Sequence, residues 1–273
     1  MKLLITGGSG FLGSQLMRIA KAQHEIFATY FSHPCENGLP LDVRDADAVQ
    51  QLFARLQPTA VIHTAYDKAR RDVIVQGSAN IARAAQQLGA RLIHLSTDVV
   101  FSGRQGGYRE EDAPDPVTEY GQFKAEAEQQ VLARAPQASL VRTSLIYGVD
   151  ADDSQDLHTQ FVLNGLRQQR AVTLFSDEYR CPIFVGDLAR ALLELLTIQQ
   201  HGLLHIVGAE RLSRYEFGVL LARYHGYRDL QPLISTTTIS TGIVRPLDCT
   251  LRIDTARALL TTALRGAGAV LRF

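Results

Sequence analysis

The feature that most constrains this chain stands near its start. Leu3-Leu4-Ile5-Thr6-Gly7-Gly8-Ser9-Gly10-Phe11-Leu12-Gly13 runs from an apolar strand through spaced glycines into a helical pattern. Glycines at 7, 10 and 13 suit a backbone that turns tightly and comes close to a pyrophosphate, whose charge the first amides and the positive end of the helix would hold. Taken alone, such a triplet can also be no more than a tight turn. Its weight comes from standing at the first strand of an alternating chain.

That alternation is regular through the first half. Short apolar runs over 3–6, 25–30, 60–63, 91–96 and 139–142 look like strands buried on both faces, and between them 11–22, 46–56, 75–88 and 119–134 space apolar residues as crossover helices do. The pattern predicts an α/β fold, a Rossmann-like doubly wound parallel sheet with a smaller C-terminal substrate-binding region. The boundary falls near Tyr147, before a polar, acidic stretch from Gly148 to Asp156. This gives a cofactor-binding part over 1–147 and a mainly substrate-binding part over 148–273, with segments that return to the sheet. In the second part, helices are expected over 157–168, 185–196 and 213–224, with strands over 172–175 and 203–207.

Charge and cysteine content exclude several classes. Twenty-eight basic residues balance 28 acidic ones, so no net field draws nucleic acid or anionic lipid. Cys35, Cys181 and Cys249 are too far apart for a zinc site or a disulfide framework, and His63, His94, His158 and His205 lack metal-ligand spacing, so no metal is expected. The opening apolar run is too short for a signal sequence, and no stretch approaches the roughly 20 apolar residues of a membrane span, so a cytoplasmic protein is expected.

In dinucleotide folds an acidic residue about 20 positions after the glycines holds the adenosine ribose. Here the second strand ends in Ala28-Thr29-Tyr30-Phe31-Ser32-His33, without a carboxylate, which favours NADP(H) over NAD(H). Asp42, in Leu41-Asp42-Val43, can face the adenine amino group or cap the helix starting near Asp45.

Tyr120-Gly121-Gln122-Phe123-Lys124 sets a phenol and an ammonium one helical turn apart. A neighbouring cation stabilises phenolate, so the tyrosine can pass a proton to or from a carbonyl or alcohol oxygen during hydride transfer. A surface tyrosine–lysine pair is the plainer alternative. Upstream, Leu95-Ser96-Thr97-Asp98 places the Thr97 hydroxyl at a strand's carboxyl end, where it can share the substrate oxygen with Tyr120.

With these stretches in view, the chain resembles the extended short-chain dehydrogenases and, within them, the dTDP-4-dehydrorhamnose reductase family. The resemblance covers nearly the whole chain. Its markers are Thr6 to Gly13, Asp67-Lys68-Ala69, Ser96-Thr97-Asp98, Tyr120 with Lys124, Val141-Arg142-Thr143-Ser144 with Tyr147-Gly148, Gly186-Asp187-Leu188-Ala189, and Arg245-Pro246 with Asp248. What it implies is hydride delivery from nicotinamide to C4 of a nucleotide-linked 4-keto-6-deoxysugar. Tyr120 would be the proton donor, Thr97 would bind the keto oxygen and Lys124 would tune both.

On this reading the cofactor lies against Gly7, Gly10, Phe11, Leu12, Gly13, Tyr30, Asp42, Val43, Thr64, Ala65, Tyr66, Tyr120 and Lys124. The sugar nucleotide would meet Thr97, Asp98, Leu145, Arg180 and Arg245. Asp98 can instead steady the turn after its strand, and Arg180 and Arg245 can grip a diphosphate or form structural ion pairs. The partner would be a small nucleotide sugar, with a homodimer admitted.

Departures from the family pattern are local. Leu145 stands where the reductases usually carry a tryptophan beside the sugar, Ile74 stands where relatives often have a helix asparagine, and Cys181-Pro182-Ile183 lacks the usual threonine. Two other functions stay open: an epimerase or dehydratase, against which Val99 rather than glutamate follows Thr97-Asp98, and a non-catalytic NADP-binding subunit of a methionine adenosyltransferase.

Overall fold

Leu3, Leu4 and Ile5 are all fully buried, so their strand is covered on both faces, as the parallel strands of an α/β sheet must be. The computed structural model describes residues 1–148 and 156–272. Its elements begin β1 (Lys2–Thr6), α1 (Phe11–Ala20), β2 (Glu25–Tyr30), β3 (Leu39–Pro40), α2 (Ala46–Leu56), β4 (Ala60–His63), α3 (Ser78–Leu88), β5 (Arg91–Thr97), α4 (Glu119–Arg134) and β6 (Ser139–Thr143). They continue with β7 (Ile146–Tyr147), α5 (Leu157–Arg167), β8 (Val172–Phe175), β9 (Tyr179–Arg180), β10 (Ile183–Phe184), α6 (Val185–Leu195), β11 (Gly202–His205), β12 (Leu212–Ser213), α7 (Arg214–Tyr224) and β13 (Leu233–Thr236).

Seven strands form one sheet in the order β11-β6-β5-β4-β1-β2-β3. β1 pairs in parallel with β2 on one side (Ile5 opposite Ala28) and with β4 on the other (Ile5 opposite Ile62), and β4 pairs in parallel with β5. The strand order therefore reverses between β1 and β4, the switch point where open α/β sheets take their ligands. On one face Leu4, Val61, Leu92 and Leu140 pack with Val49, Leu52 and Phe53 of α2, Ile81 and Ala85 of α3 and Val131 of α4. Alternate residues of the same strands, Ile5, Ile62 and Ile93, are also fully buried, so the opposite face is covered too.

Local chemistry sets the element ends. Asp45 caps α2 by accepting from the amides of Asp47 and Ala48, and Gly89 ends α3 in the left-handed conformation. The helix expected over 75–88 opens as a π-helical turn, Asp72–Gly77, before α3 begins. There Gly77 packs so closely on Val43 that a Cβ would fall 2.5 Å from Val43 Cγ2.

The chain divides into two compact units, each built from three stretches. The first holds Met1–Thr97, Glu119–Arg142 and Ala189–Leu204; the second holds Asp98–Thr118, Thr143–Leu188 and His205–Phe273. A stretch beginning at Ala189 belongs to the first unit because β11, at the sheet edge beside β6, completes its sheet: Gly202 N donates to Ala138 O. In the second unit α5, α7, β8 and β13 share an apolar core around Val162, Leu166, Leu174 and Ala222. Ser213 and Glu216 form a reciprocal capping box at the start of α7. The acidic stretch after Gly148 lies, over 149–155, outside the described residues. No helix among the described residues is long and apolar enough to cross a membrane.

Candidate active site

At the end of β1 the backbone turns at Gly7, whose φ of +74° is the left-handed region that favours glycine. Close approach decides the rest of the turn. A Cβ at Gly7 would sit 2.9 Å from the backbone of Ala65, and one at Gly13 would sit 2.1 Å from the carbonyl oxygen of Gly7. Gly10 N donates to that same oxygen at 3.0 Å. As N-cap of α1, Gly10 brings no side chain to accept from the first-turn amides of Phe11, Leu12 and Gly13, which have no acceptor within the helix. Donors without internal acceptors, at the positive end of a helix and beside a backbone that tolerates no Cβ, fit a dinucleotide pyrophosphate. Thr64, after β4, donates through Oγ1 to Thr6 O at 2.7 Å and brings Thr64-Ala65-Tyr66 alongside the turn.

At the end of β2, Tyr30 O accepts from Leu41 N, and the chain passes on to Asp42 and Val43. Asp42 does not cap α2, since Asp45 does. Instead Asp42 takes the backbone N–H of Arg44 at 3.0 Å and its guanidinium at 2.5–3.0 Å, which holds its carboxyl below the usual range. The Arg44 guanidinium also reaches Asp72 and stacks 5.5 Å from the ring of Phe31, the exposed residue just past β2. Val43 is fixed by a side chain that the motifs did not point to. Buried Asn80 donates at 3.0 Å to both Val43 O and Arg44 O. The signal available was an amide beside the apolar positions Ile81 and Ala84 of α3.

Tyr120 and Lys124 leave successive turns of α4. Lys124 is 6% exposed, its Nζ donates to Leu95 O at 2.8 Å, and it lies 5.5 Å from the centre of the Tyr66 ring. Burial pulls this ammonium down to about 8, against the opposing pull of the Glu128 carboxylate. Tyr120 packs against Ile74, Val75 and Ala127, 6.2 Å from the Tyr66 ring and with Lys68 Nζ 5.7 Å from its own ring centre. Thr97 ends β5, two residues beyond the carbonyl that Lys124 holds. These three residues thus share one unit with the glycine turn. His63, which the sequence offered only as a histidine without metal-ligand spacing, is buried between Thr6 Oγ1 at 2.5 Å and Ser78 Oγ at 3.2 Å. Burial, and then the Lys124 charge, pulls it down to about 3, so it is neutral.

The remaining expected residues lie in the second unit. Asp98 opens a short 3-10 turn and accepts from Ser144 Oγ at 2.5 Å. Leu145 packs partly buried beside Tyr147 and Phe217. Arg180, 4% exposed, donates to the carbonyls of Tyr179, Leu247 and Pro246 at 2.7–2.9 Å, with Asp98 at 3.7 Å, so its donors serve the backbone rather than an open phosphate site. Arg245 is the more open of the two, paired with buried Glu178 and stacked 4.9 Å from the Phe175 ring. Asp187 lies within the first turn of α6 rather than capping it, and is held bidentately by Arg265 at 2.8–2.9 Å. Cys181 is buried and its thiol is pushed up to about 11, the wrong direction for a nucleophile.

Comparison with known proteins gives consistent relatives. A family model described as the RmlD substrate binding domain matches residues 1–267. A dTDP-4-dehydrorhamnose reductase from Aggregatibacter actinomycetemcomitans is 27% identical over 239 residues, 81% of this chain and 78% of that one. The methionine adenosyltransferase 2 subunit beta of Xenopus tropicalis is 28% identical over 239 residues, 81% and 71% of the respective chains. Among solved structures, a dTDP-4-dehydrorhamnose reductase from Bacillus anthracis in complex with NADP superposes with a TM-score of 0.85 at 25% identity, covering 99% of this chain and 96% of that one.

Proposed function

The chain belongs to the RmlD substrate-binding-domain family, and on that premise we propose that it reduces the keto group of a nucleotide-linked 4-keto-6-deoxysugar. The observation that carries this reading is Lys124, buried on the same face of α4 as Tyr120 and bonded to β5 two residues before Thr97. A dinucleotide held on the Gly7 to Gly13 turn would supply the hydride. The chain's own residues would then manage the oxygen. Thr97 donates a hydrogen bond to it, and the Tyr120 hydroxyl passes its proton to it as negative charge gathers there. The Lys124 ammonium lowers the cost of the phenolate left behind, as an opposite charge at close range does.

NADP(H) is favoured over NAD(H), because the end of β2 and the residues just past it, Tyr30-Phe31-Ser32-His33, hold no carboxylate to repel a 2′-phosphate. The NADP complex of the Bacillus anthracis relative supports the same preference. Asp98, Leu145 and Arg245 are the substrate contacts we assign in the second unit, while Arg180 holds the 246–247 backbone that follows Arg245. Leucine at 145, where the family usually carries a tryptophan beside the sugar, points to a sugar pocket of altered shape.

A second reading is a non-catalytic subunit, favoured by the similarity to a methionine adenosyltransferase subunit beta. The deciding experiment is oxidation of NADPH and NADH against dTDP-, UDP- and GDP-linked 4-keto-6-deoxysugars, with Tyr120→Phe beside the wild type. Turnover that falls by about 10²–10⁴ in the variant, with cofactor affinity kept, supports the reductase. Tight NADPH binding without turnover on any sugar favours the subunit.

A further inference from the structure

Beneath α4 lies a group of buried polar side chains that the proposed reaction leaves unused: His63, His94, Ser96, Glu128 and Arg142. Glu128 follows Lys124 by one helical turn, so the two side chains leave α4 on one face. They land on consecutive residues of β5. Lys124 Nζ donates to Leu95 O at 2.8 Å, and Ser96 Oγ donates to Glu128 Oε1 at 2.6 Å. From β6, Arg142 closes on the same carboxylate, Nε to Oε1 at 3.0 Å and Nη2 to Oε2 at 2.8 Å.

This pair is almost free of solvent, with side chains 1% (Arg142) and 5% (Glu128) exposed. A planar guanidinium on a carboxylate accepts little angular play, so the pair ties α4 to β5 and β6 in one register. That tie sits one residue before Thr97 on the strand and one turn beyond Lys124 on the helix. We propose that Glu128 is the positioning residue of this site: its carboxylate, clamped by Arg142 and Ser96, sets the register of α4 against β5 and is the counter-charge to Lys124. The consequence for turnover rests on the reductase reading; the effect on Lys124 itself does not.

The other groups facing Lys124 do not provide that charge. His63 on β4 and His94 on β5 are both held neutral by burial, Tyr66 presents its ring, Tyr120 lies a turn away on α4, and Arg142 is committed to Glu128. Glu128 is the carboxylate that opposes the burial of Lys124.

Lys2, Lys21, Lys68 and Lys124 are the lysines of the sequence. A full chain labelled with ¹³C-lysine therefore gives a short set of side-chain NMR signals, with Lys124 identified by its loss in Lys124→Met. In the wild type that signal titrates near pH 8. In Glu128→Gln it moves down by about one pH unit, while the other three stay in place. Because this variant strands Arg142, the double variant Glu128→Gln/Arg142→Met is titrated beside it and is expected to move in the same direction. A Lys124 signal that does not move in a folded variant overturns the proposal. The alkaline limb of kcat/KM is expected to follow Lys124. If Lys124 moves as stated but the wild type reduces no keto sugar, the reductase reading fails and the role of Glu128 stands.

Discussion

Replacing Gly13 by alanine tests the glycine turn at its tightest point. The added Cβ would stand 2.1 Å from the Gly7 carbonyl oxygen and 2.9 Å from Gly8 Cα, where ordinary contact begins near 3.4 Å. All the atoms it meets are backbone, so no rotamer change relieves the overlap and the turn itself must open. Overpacking of this kind costs about 1–3 kcal/mol. Loss of the Gly10 N to Gly7 O bond, 3.0 Å in the native turn, adds about 1 kcal/mol. A destabilisation of about 3 kcal/mol, at roughly 2 °C or slightly more per kcal/mol for a chain of this size, lowers Tm by several degrees.

Because the displaced backbone is the proposed pyrophosphate cradle, NADPH affinity is expected to fall by about 100-fold, equivalent to about 2.7 kcal/mol. Gly89→Ala separates the two effects. Gly89 ends α3 with a φ of +65° and open space around it, so alanine there loses about 1–2 kcal/mol to left-handed strain and leaves NADPH binding unchanged. Thermal melts with and without NADPH, together with a fluorescence titration, read both quantities. A Gly13→Ala protein that binds NADPH as tightly as the wild type would refute the reasoning.

Further expectations concern the buried polar groups. Lys124 is pulled down to about 8 from an ordinary value near 10.5, so the folded chain binds fewer protons than the unfolded chain between these values and stability rises with pH across that window. The penalty of about 3 kcal/mol present at neutral pH is absent in Lys124→Met, so urea midpoints of variant and wild type should differ at pH 7 and converge toward pH 10; parallel midpoints would contradict this. Arg142→Met leaves Glu128 buried without its partner, an expected loss of about 3–5 kcal/mol in urea unfolding that a second change, Glu128→Gln, partly restores. Removing the Asn80 amide frees the Val43 and Arg44 carbonyls, so Asn80→Ala should lose about 2 kcal/mol and weaken NADPH binding by fluorescence titration. Unchanged affinity there would detach Val43 from the cofactor site.

Much of the architecture was legible in the linear chain, because it depends on features only a few residues long. Runs such as Ala60–His63, buried throughout, and helices such as Ala46–Leu56 and Glu119–Arg134 have the bounds that periodicity predicts. The spaced glycines and the Tyr120-to-Lys124 interval are likewise local, since a turn needs particular φ values and one helical turn brings residues four apart onto one face.

Tertiary structure decided what depends on residues distant in sequence. Asp45 rather than Asp42 caps α2 because Arg44 draws Asp42 away. Arg180 serves carboxyl-side carbonyls at 246 and 247, more than sixty residues on. The 189–204 stretch joins the first unit because β6 offers β11 a free edge. Above all, Ser96, Glu128 and Arg142 meet because β5 and β6 are neighbours and α4 lies over them. A carboxylate and a guanidinium attract wherever they occur, but only the order of the strands determines which pair is enclosed together away from water, and that order is not carried by any short stretch of the chain.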